Sequence, residues 1–290
     1  MPPPMRPRFS ALIAIALAAS ACARARADSR VRFEGDSEYN HLLVEEDGRG
    51  VRSLSFERGG AIQSAIRVGR PLDLQLAYSK SAMAVLALVP EPRRILIVGL
   101  GGGAMPMFLR ALYPGALIEV VDIDPKVVEL ARQFFGFRED EKLKASVADG
   151  RAYVEAAEPG YDLIFLDAYG RSQIPRHLAT LEFLAQVRRK LGPKGAVIGN
   201  VWSGESNELY APMVRTYQRA FGEVCDLDVP GAGNRILLHW RGGSIPAAAE
   251  RSARAGALGR KRALPFDLAA FARAECLKDV QPSGEILKDR

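Results

Sequence analysis

Residues 94–122 read RILIVGLGGGAMPMFLRALYPGALIEVVD. The apolar run at 95–98 has the length and branching of a buried strand, and it breaks into Gly99, Leu100, Gly101, Gly102 and Gly103. Glycines let the chain turn tightly and bring its backbone close to a ligand. The helix expected over 104–113 would present unpaired N–H groups just behind them. After the Pro114-Gly115 turn, a second apolar run ends on Asp122, whose carboxylate is suited to accept hydrogen bonds from both hydroxyls of a ribose. A glycine-rich turn alone says little. Strand, turn, helix, strand and terminal acid in that order read as a β-α-β unit with a nucleotide seat.

The alternation continues downstream. Asp124-Pro125 is a helix start in which Asp124 caps rather than binds, and Val127, Leu130, Ala131 and Phe134 share one face of that helix. A third strand at 143–147 stops at Asp149-Gly150, and a fourth at 161–166 delivers Asp167 at its end. Leu178, Leu181, Leu184 and Leu191 mark a helix closed by a turn at 192–195, and a fifth strand covers 196–201. A helix over 207–221 precedes strands at 224–229 and 235–240, which the short loop between them forces to run antiparallel. The fold class is therefore α/β, a doubly wound, seven-stranded Rossmann-like sheet with an antiparallel last strand. In such a sheet ligands sit at the carboxyl ends of the strands, so Asp122, Asp149 and Asp167 converge on one crevice.

Upstream, short apolar runs separated by Gly-rich turns between 31 and 68 predict a small antiparallel sheet, from which Gln63 and Tyr39 could reach a ligand. The spacing of Leu72, Leu76, Met83 and Leu86 predicts a helix over 72–88. The first 27 residues differ in kind: Arg6 and Arg8, an apolar run at 9–21, and small residues at Ala25-Arg26-Ala27 read as a secretory signal. A second option is a lipoprotein box at Ala19-Ser20-Ala21-Cys22, although Leu17 lies too far upstream for the usual pattern. The expected organisation is thus a signal peptide at 1–27, a β-domain at 28–70, a nucleotide-binding transferase domain at 71–242 and a helical or flexible tail at 243–290. The expected location is periplasmic or secreted, or cytoplasmic if the leader does not function.

Removing the leader takes away Arg6, Arg8, Arg24 and Arg26 and no acid, which lowers the formal charge from +6 to +2. The basic balance therefore belongs largely to the leader and gives no case for nucleic acid as a partner. The apolar run is too short to span a bilayer comfortably. Cys225 and Cys276 could pair, but their distant spacing favours isolated buried thiols, and His41, His177 and His239 are too scattered to predict a metal site. In the tail, Arg251, Arg254, Arg260, Lys261 and Arg262 read as a solvated helix face.

The glycine-rich turn, ribose acid, later Asp-Gly and closing hairpin resemble the S-adenosylmethionine-dependent transferase fold. Within it, the leading β-domain, Gly101-Gly102-Gly103, Val121-Asp122-Ile123-Asp124, Asp149-Gly150 and Leu166-Asp167 resemble the spermidine synthase family over residues 39–240. The resemblance implies that Gly99, Gly101, Gly102, Gly103, Asp122, Asp149 and Gly150 hold the cosubstrate, Asp122 at the ribose and Asp149 at the adenine amino group. It implies Asp167 as the catalytic base and a homodimer through the β-domain. The cosubstrate would be decarboxylated S-adenosylmethionine or S-adenosylmethionine, with no metal.

The chain departs from the family where amines bind. Ala104 stands where an Asp usually follows the third glycine, and Gly170 where a second acid follows the catalytic one. Leu74, Gln75, Tyr78, Ser79 and Lys80 replace an acidic pair and its neighbours. A polyamine carries several charges and needs anchoring carboxylates besides a base, so the nucleotide end is intact and the polyamine end depleted. Gln63, Tyr78 and Tyr169 are the remaining candidates for contacting an amine or other small acceptor. Three readings stay open: aminopropyl transfer, methyl transfer to a non-polyamine acceptor, and a non-catalytic nucleoside-binding homologue. Export would separate both enzymes from a cosubstrate made in the cytoplasm. Gly99, Gly101 and Ala104 also fit a dehydrogenase fingerprint, against which stand Asp149, Asp167 and the terminal hairpin.

Overall fold

The computed structural model of the chain describes residues 29–170, 173–204, 207–276 and 284–290; the expected leader, with Cys22, lies outside them. Strands β1 (Arg30–Asp36), β2 (His41–Glu46), β3 (Val51–Ser55) and β4 (Ile62–Arg67) form an antiparallel sheet in sequential order. Leu42, Val44, Leu54 and Ile66 are buried in the same core as the main domain, so the small sheet is packed onto its larger neighbour. Ser37 strengthens the join by donating to the Asp124 carboxylate at 2.5 Å.

The helix expected over 72–88 is shorter than its apolar spacing suggests. Leu74 pairs with Ile66 as an extension of the small sheet, and Arg67 holds Asp73 at 3.1 Å, which keeps this stretch out of the helix. Helix α1 covers only Ala77–Ala82 and passes into a 3-10 turn at Met83–Ala87. Every residue of that turn is buried.

The main sheet contains β5 (Arg94–Val98), β6 (Leu117–Asp122), β7 (Leu143–Val147), β8 (Tyr161–Leu166), β9 (Leu191–Trp202), β10 (Cys225–Asp228) and β11 (Asn234–Trp240). Their order is β10-β11-β9-β8-β5-β6-β7, and β11 runs antiparallel to both of its neighbours. Strands β5 to β9 pair in parallel; β5, β6, β8 and β9 carry buried apolar runs as expected of a sheet covered on both faces, and the edge strand β7 buries only Leu143. The covering helices are α2 (Ala104–Leu112), α3 (Pro125–Phe134), α4 (Gly150–Ala156), α5 (Leu181–Lys190) and α6 (Tyr210–Phe221). Asp124, Asp149 and Thr180 cap three of them by accepting backbone N–H bonds, as short polar side chains do at helix starts. The chain order reverses between β5 and β8, the place where a doubly wound sheet opens a crevice.

Three further expectations change here. The turn expected at 192–195 is absorbed into β9, whose Leu191 already pairs with Tyr161 across an irregular step. A Cβ on Gly195 would come within 2.5 Å of the Tyr161 carbonyl, so the missing side chain lets the two strands close up. The tail carries α7 (Ala248–Lys261) and α8 (Leu268–Ala272), which bury Ala255, Leu258, Leu268 and Ala272 in the main core. Arg251 is 1% exposed, so it does not belong to a solvated face; it donates to the carbonyls of Pro246 and Ala274. Arg262 is half-buried, bonded to the exposed Glu91 and lying over the Tyr113 ring, while Arg254, Arg260 and Lys261 are exposed as expected of a solvated face. Cys225 and Cys276 form a disulfide that ties β10 to the segment after α8, correcting the expectation of isolated thiols.

Candidate active site

The crevice begins where β5 leaves the sheet. Gly99 has φ of +103°, and a Cβ there would meet the Asp167 carbonyl at 2.2 Å, so only glycine lets the exits of β5 and β8 lie against each other. Gly101 also lines the crevice, whereas Gly102 and Gly103 do not. Cβ atoms on those two would each fall 2.7 Å from a ring, that of Phe135 or Phe137, so they serve packing beneath the loop.

Asp122 ends β6 and is engaged by the loop it faces. It accepts from the Leu100 N–H at 2.8 Å and the Asp124 N–H at 3.0 Å. Burial raises its pKa, and the backbone donors oppose that rise. A carboxylate offers about four lone-pair sites, so these two backbone bonds, one from the loop and one from its own turn, leave capacity for a ligand's hydroxyls. Asp124 is 1% exposed, caps α3 and accepts from Ser37, which leaves it as the structural acid of the pair.

Asp149 and Gly150 line the neighbouring part of the crevice at the start of α4. Asp149 accepts from the Ala152 N–H at 2.9 Å, and its second oxygen lies 2.8 Å from His177 Nε2. Burial pushes its pKa up, but the Ala152 N–H, His177 and the Arg151 N–H together hold it below the usual range. His177 comes from the short 3-10 turn Arg176–Leu178, far from Asp149 in sequence.

At the other end stands Asp167. Burial pushes its carboxyl up to about 7, while the Asn200 amide pulls it down and the nearby Asp122 charge pushes it further up. Asn200 Nδ2 donates to Asp167 at 2.8 Å, and Asn234 Nδ2 donates to Asn200 Oδ1 at 2.9 Å, so β11 and β9 hold the carboxylate from behind. Tyr78 donates to the Gln63 carbonyl at 3.0 Å beside Asp167, and Tyr169 donates to the Asn200 carbonyl at 2.9 Å. Burial raises both phenols well above their ordinary value, so neither is a base near neutral pH. The Tyr169 ring stacks against Trp202, centroids 5.3 Å apart. Gln63, Tyr78 and Tyr169 all line the crevice, Gln63 meeting Tyr78 through its backbone carbonyl while its amide turns to the Ala61 carbonyl.

Asn200, Trp202, Asn234 and His177 complete the crevice, and sequence reasoning misses them. Asn200 sits at the carboxyl end of a parallel strand, the same signal that singles out the three acids, but an amide carries no charge to mark it. The whole space is about 420 Å³, the size of a small-molecule site. Four carboxylates and no Lys or Arg line it among the described residues. Among the described residues, no cluster of His, Cys, Asp or Glu is arranged to hold a metal, and no helix is long and apolar enough to cross a membrane.

The sheet order, antiparallel β11 and acid-lined crevice at the strand ends define a methyltransferase-type α/β transferase fold. Residues 77–232 match the spermine/spermidine synthase domain. A polyamine aminopropyltransferase of Vibrio vulnificus is 34% identical over 72% of this chain and 72% of its own. A probable spermidine synthase from Corynebacterium glutamicum superposes with a TM-score of 0.71 at 22% identity, over 90% of this chain and 97% of that one. Human methyltransferase-like protein 13 in complex with SAH superposes with a TM-score of 0.58 at 28% identity, over 66% and 95% of the two chains. The chain belongs to the spermine/spermidine synthase family. It is an aminopropyltransferase-like enzyme.

Proposed function

We propose that the protein transfers an aminopropyl group from decarboxylated S-adenosylmethionine to a small amine. The observation that carries the proposal is the lining of the crevice: four carboxylates and no Lys or Arg among the described residues. Decarboxylated S-adenosylmethionine brings a sulfonium and an ammonium and no carboxylate, so it complements such a site, whereas S-adenosylmethionine must place a carboxylate among acids. The family membership supports the same choice.

In this reading Asp122 accepts from the ribose hydroxyls, Asp149 takes the adenine amino group, and Gly99, Gly101 and Gly150 give the nucleoside close backbone approach. Asp167 is the base. An alkylammonium ionises near 10, so a carboxylate raised to about 7 is a better-matched proton acceptor than one at its ordinary 3.8. The freed amine attacks the carbon beside the sulfonium. A C–N bond forms, the C–S bond breaks with its electron pair going to sulfur, and methylthioadenosine leaves with no net charge. The nitrogen's proton passes to Asp167.

Release of methylthioadenosine from the decarboxylated cosubstrate, on adding an amine, tests the proposal; its absence across an amine panel refutes it. Methyl transfer is the second reading, favoured by Ala104 and by the resemblance to a methyltransferase bound to SAH. Product mass separates the two. The Cys225–Cys276 disulfide supports an oxidising compartment and the exported location, in which case the cosubstrate must be delivered to that compartment from the cytoplasm. A homodimer through the β1–β4 sheet remains part of the proposal, with sedimentation as its test.

A further inference from the structure

We infer that residues 284–290 brace the crevice at its Asp149 end and that Asp289 is a positioning residue for the nucleobase; this rests on the reading above in which Asp149 takes the adenine amino group. The brace stands outside the crevice lining. Leu287 is 1% exposed and is buried in the same core as Leu178 and Val154. Its carbonyl accepts from the Leu181 N–H at 2.8 Å, and its N–H donates to Thr216 Oγ1 at 2.9 Å. The Asp289 N–H donates to Glu182 at 3.0 Å, and Arg215 donates to the Gly284 carbonyl. Segment 284–290 is thereby fixed to α5 and α6.

From that footing Asp289 reaches α4. Arg151 donates through Nη1 and Nη2 to its two oxygens at 2.7 and 2.6 Å, and through Nε to Glu155 at 3.0 Å. Arg151 Nη1 also approaches the His177 carbonyl at 3.5 Å. The guanidinium holds the Asp289 carboxyl down to about 2, so both partners are charged near neutral pH. An isolated surface pair of this kind contributes little. This one is bidentate, stands on a segment already fixed, and joins the two stretches of backbone that bring Asp149 and His177 to the crevice. One Asp149 oxygen accepts from the Ala152 N–H and the other meets His177 Nε2 at 2.8 Å; an ionised carboxylate only accepts, so that nitrogen carries the proton. These bonds set the direction of the lone pairs left for a ligand. A purine amino group can donate to them, whereas a 6-oxo group, an acceptor, cannot. Without Asp289 the Arg151 head follows Glu155 alone, the turn at Arg176–Leu178 loses its tie to α4, and Asp149 loses its fixed direction.

The test is calorimetric titration of the wild type, Asp289→Asn and Arg151→Gln with methylthioadenosine and methylthioinosine, which differ only at the purine 6-position. The wild type is expected to prefer methylthioadenosine by about tenfold or more. Each variant should shrink that preference to about threefold or less, and the double variant no further than either single, because both remove the same pair. Uniform loosening of the fold would weaken both ligands alike; an unchanged ratio in the variants overturns the inference. A second readout is the imidazole signal of His177 in nitrogen NMR spectra of the free protein, assigned through His177→Gln. It should show the Nε2–H tautomer in the wild type and a mixture of tautomers in Asp289→Asn, whose spectrum also reports that the fold is intact. An unchanged His177 signal overturns the inference. Failure of the underlying reading is seen separately: a wild type that does not prefer methylthioadenosine removes Asp149 as the partner of the adenine, and the inference with it, whereas a wild-type preference that the variants keep removes the inference alone.

Discussion

Replacing Asp167 by Asn removes the proposed base and a buried carboxyl that the fold holds near 7, against an ordinary 3.8. Two effects of opposite sign are expected. Turnover falls by about 10²- to 10⁴-fold, the usual contribution of a positioned base. Stability relative to the wild type rises at high pH, because a carboxyl raised by burial favours the folded state only while protonated. Its contribution is whole below about pH 3.8, fades as pH climbs, and is gone above about 7. A tenfold change in acidity corresponds to about 1.4 kcal/mol, so ionising Asp167 in place costs about 4 kcal/mol once pH exceeds its folded value. Between about pH 5 and pH 8.5, the stability of Asp167→Asn over the wild type should therefore widen by about 2 to 3 kcal/mol. Urea unfolding at the two pH values measures it. An unchanged gap would show that Asp167 is not held protonated by burial, and unchanged turnover would remove it as the base. Wild-type kcat should rise with pH through about 7 and then level.

Asp122→Ala should abolish nucleoside binding in a calorimetric titration, and should also cost about 1 to 3 kcal/mol in urea unfolding because the Leu100 and Asp124 N–H groups lose their acceptor. Asn234→Ala frees the Asn200 amide that holds Asp167; kcat should drop about fivefold with cosubstrate affinity unchanged, and a loss confined to cosubstrate affinity would deny the positioning role. Ala104→Asp places a carboxylate in the crevice lining and should raise the preference for decarboxylated over carboxylated cosubstrate about tenfold, read by competition titration. Cys225→Ser with Cys276→Ser opens a loop of sequence separation 51 and should cost up to about 4 kcal/mol, seen as a lower urea midpoint that reductant no longer shifts.

The nucleotide half of the molecule is legible in the sequence because its physics is local. Strand, glycine turn, helix and acid follow one another within residues 94–122, and each apolar run has the length of its strand. Gly102 and Gly103 show the limit of that legibility: the pattern marks where glycine is needed, but the partner that forbids a side chain is Phe135 or Phe137 from another helix's end. The same holds for Asp149, legible as a strand-end acid, while its partner His177 arrives from a loop that no spacing connects to it. Residues 72–76 follow a helical pattern yet are claimed by pairing with β4, a tertiary contact that outweighs a weak local preference. Arg251 reads as one more solvated cation because nothing local marks the carbonyls of Pro246 and Ala274 that hold it inside. Asn200 and Asn234 are invisible for a related reason: amides become significant only when strand pairing sets them in line behind Asp167.

The central claim is that a crevice lined, among the described residues, by four carboxylates and no Lys or Arg takes a decarboxylated sulfonium nucleoside. Parallel calorimetric titration with S-adenosylmethionine, decarboxylated S-adenosylmethionine, methylthioadenosine and NAD tests it most directly. The expected result is binding of methylthioadenosine and a clear preference for the decarboxylated over the carboxylated sulfonium. Preference for S-adenosylmethionine, or binding of NAD alone, would contradict it.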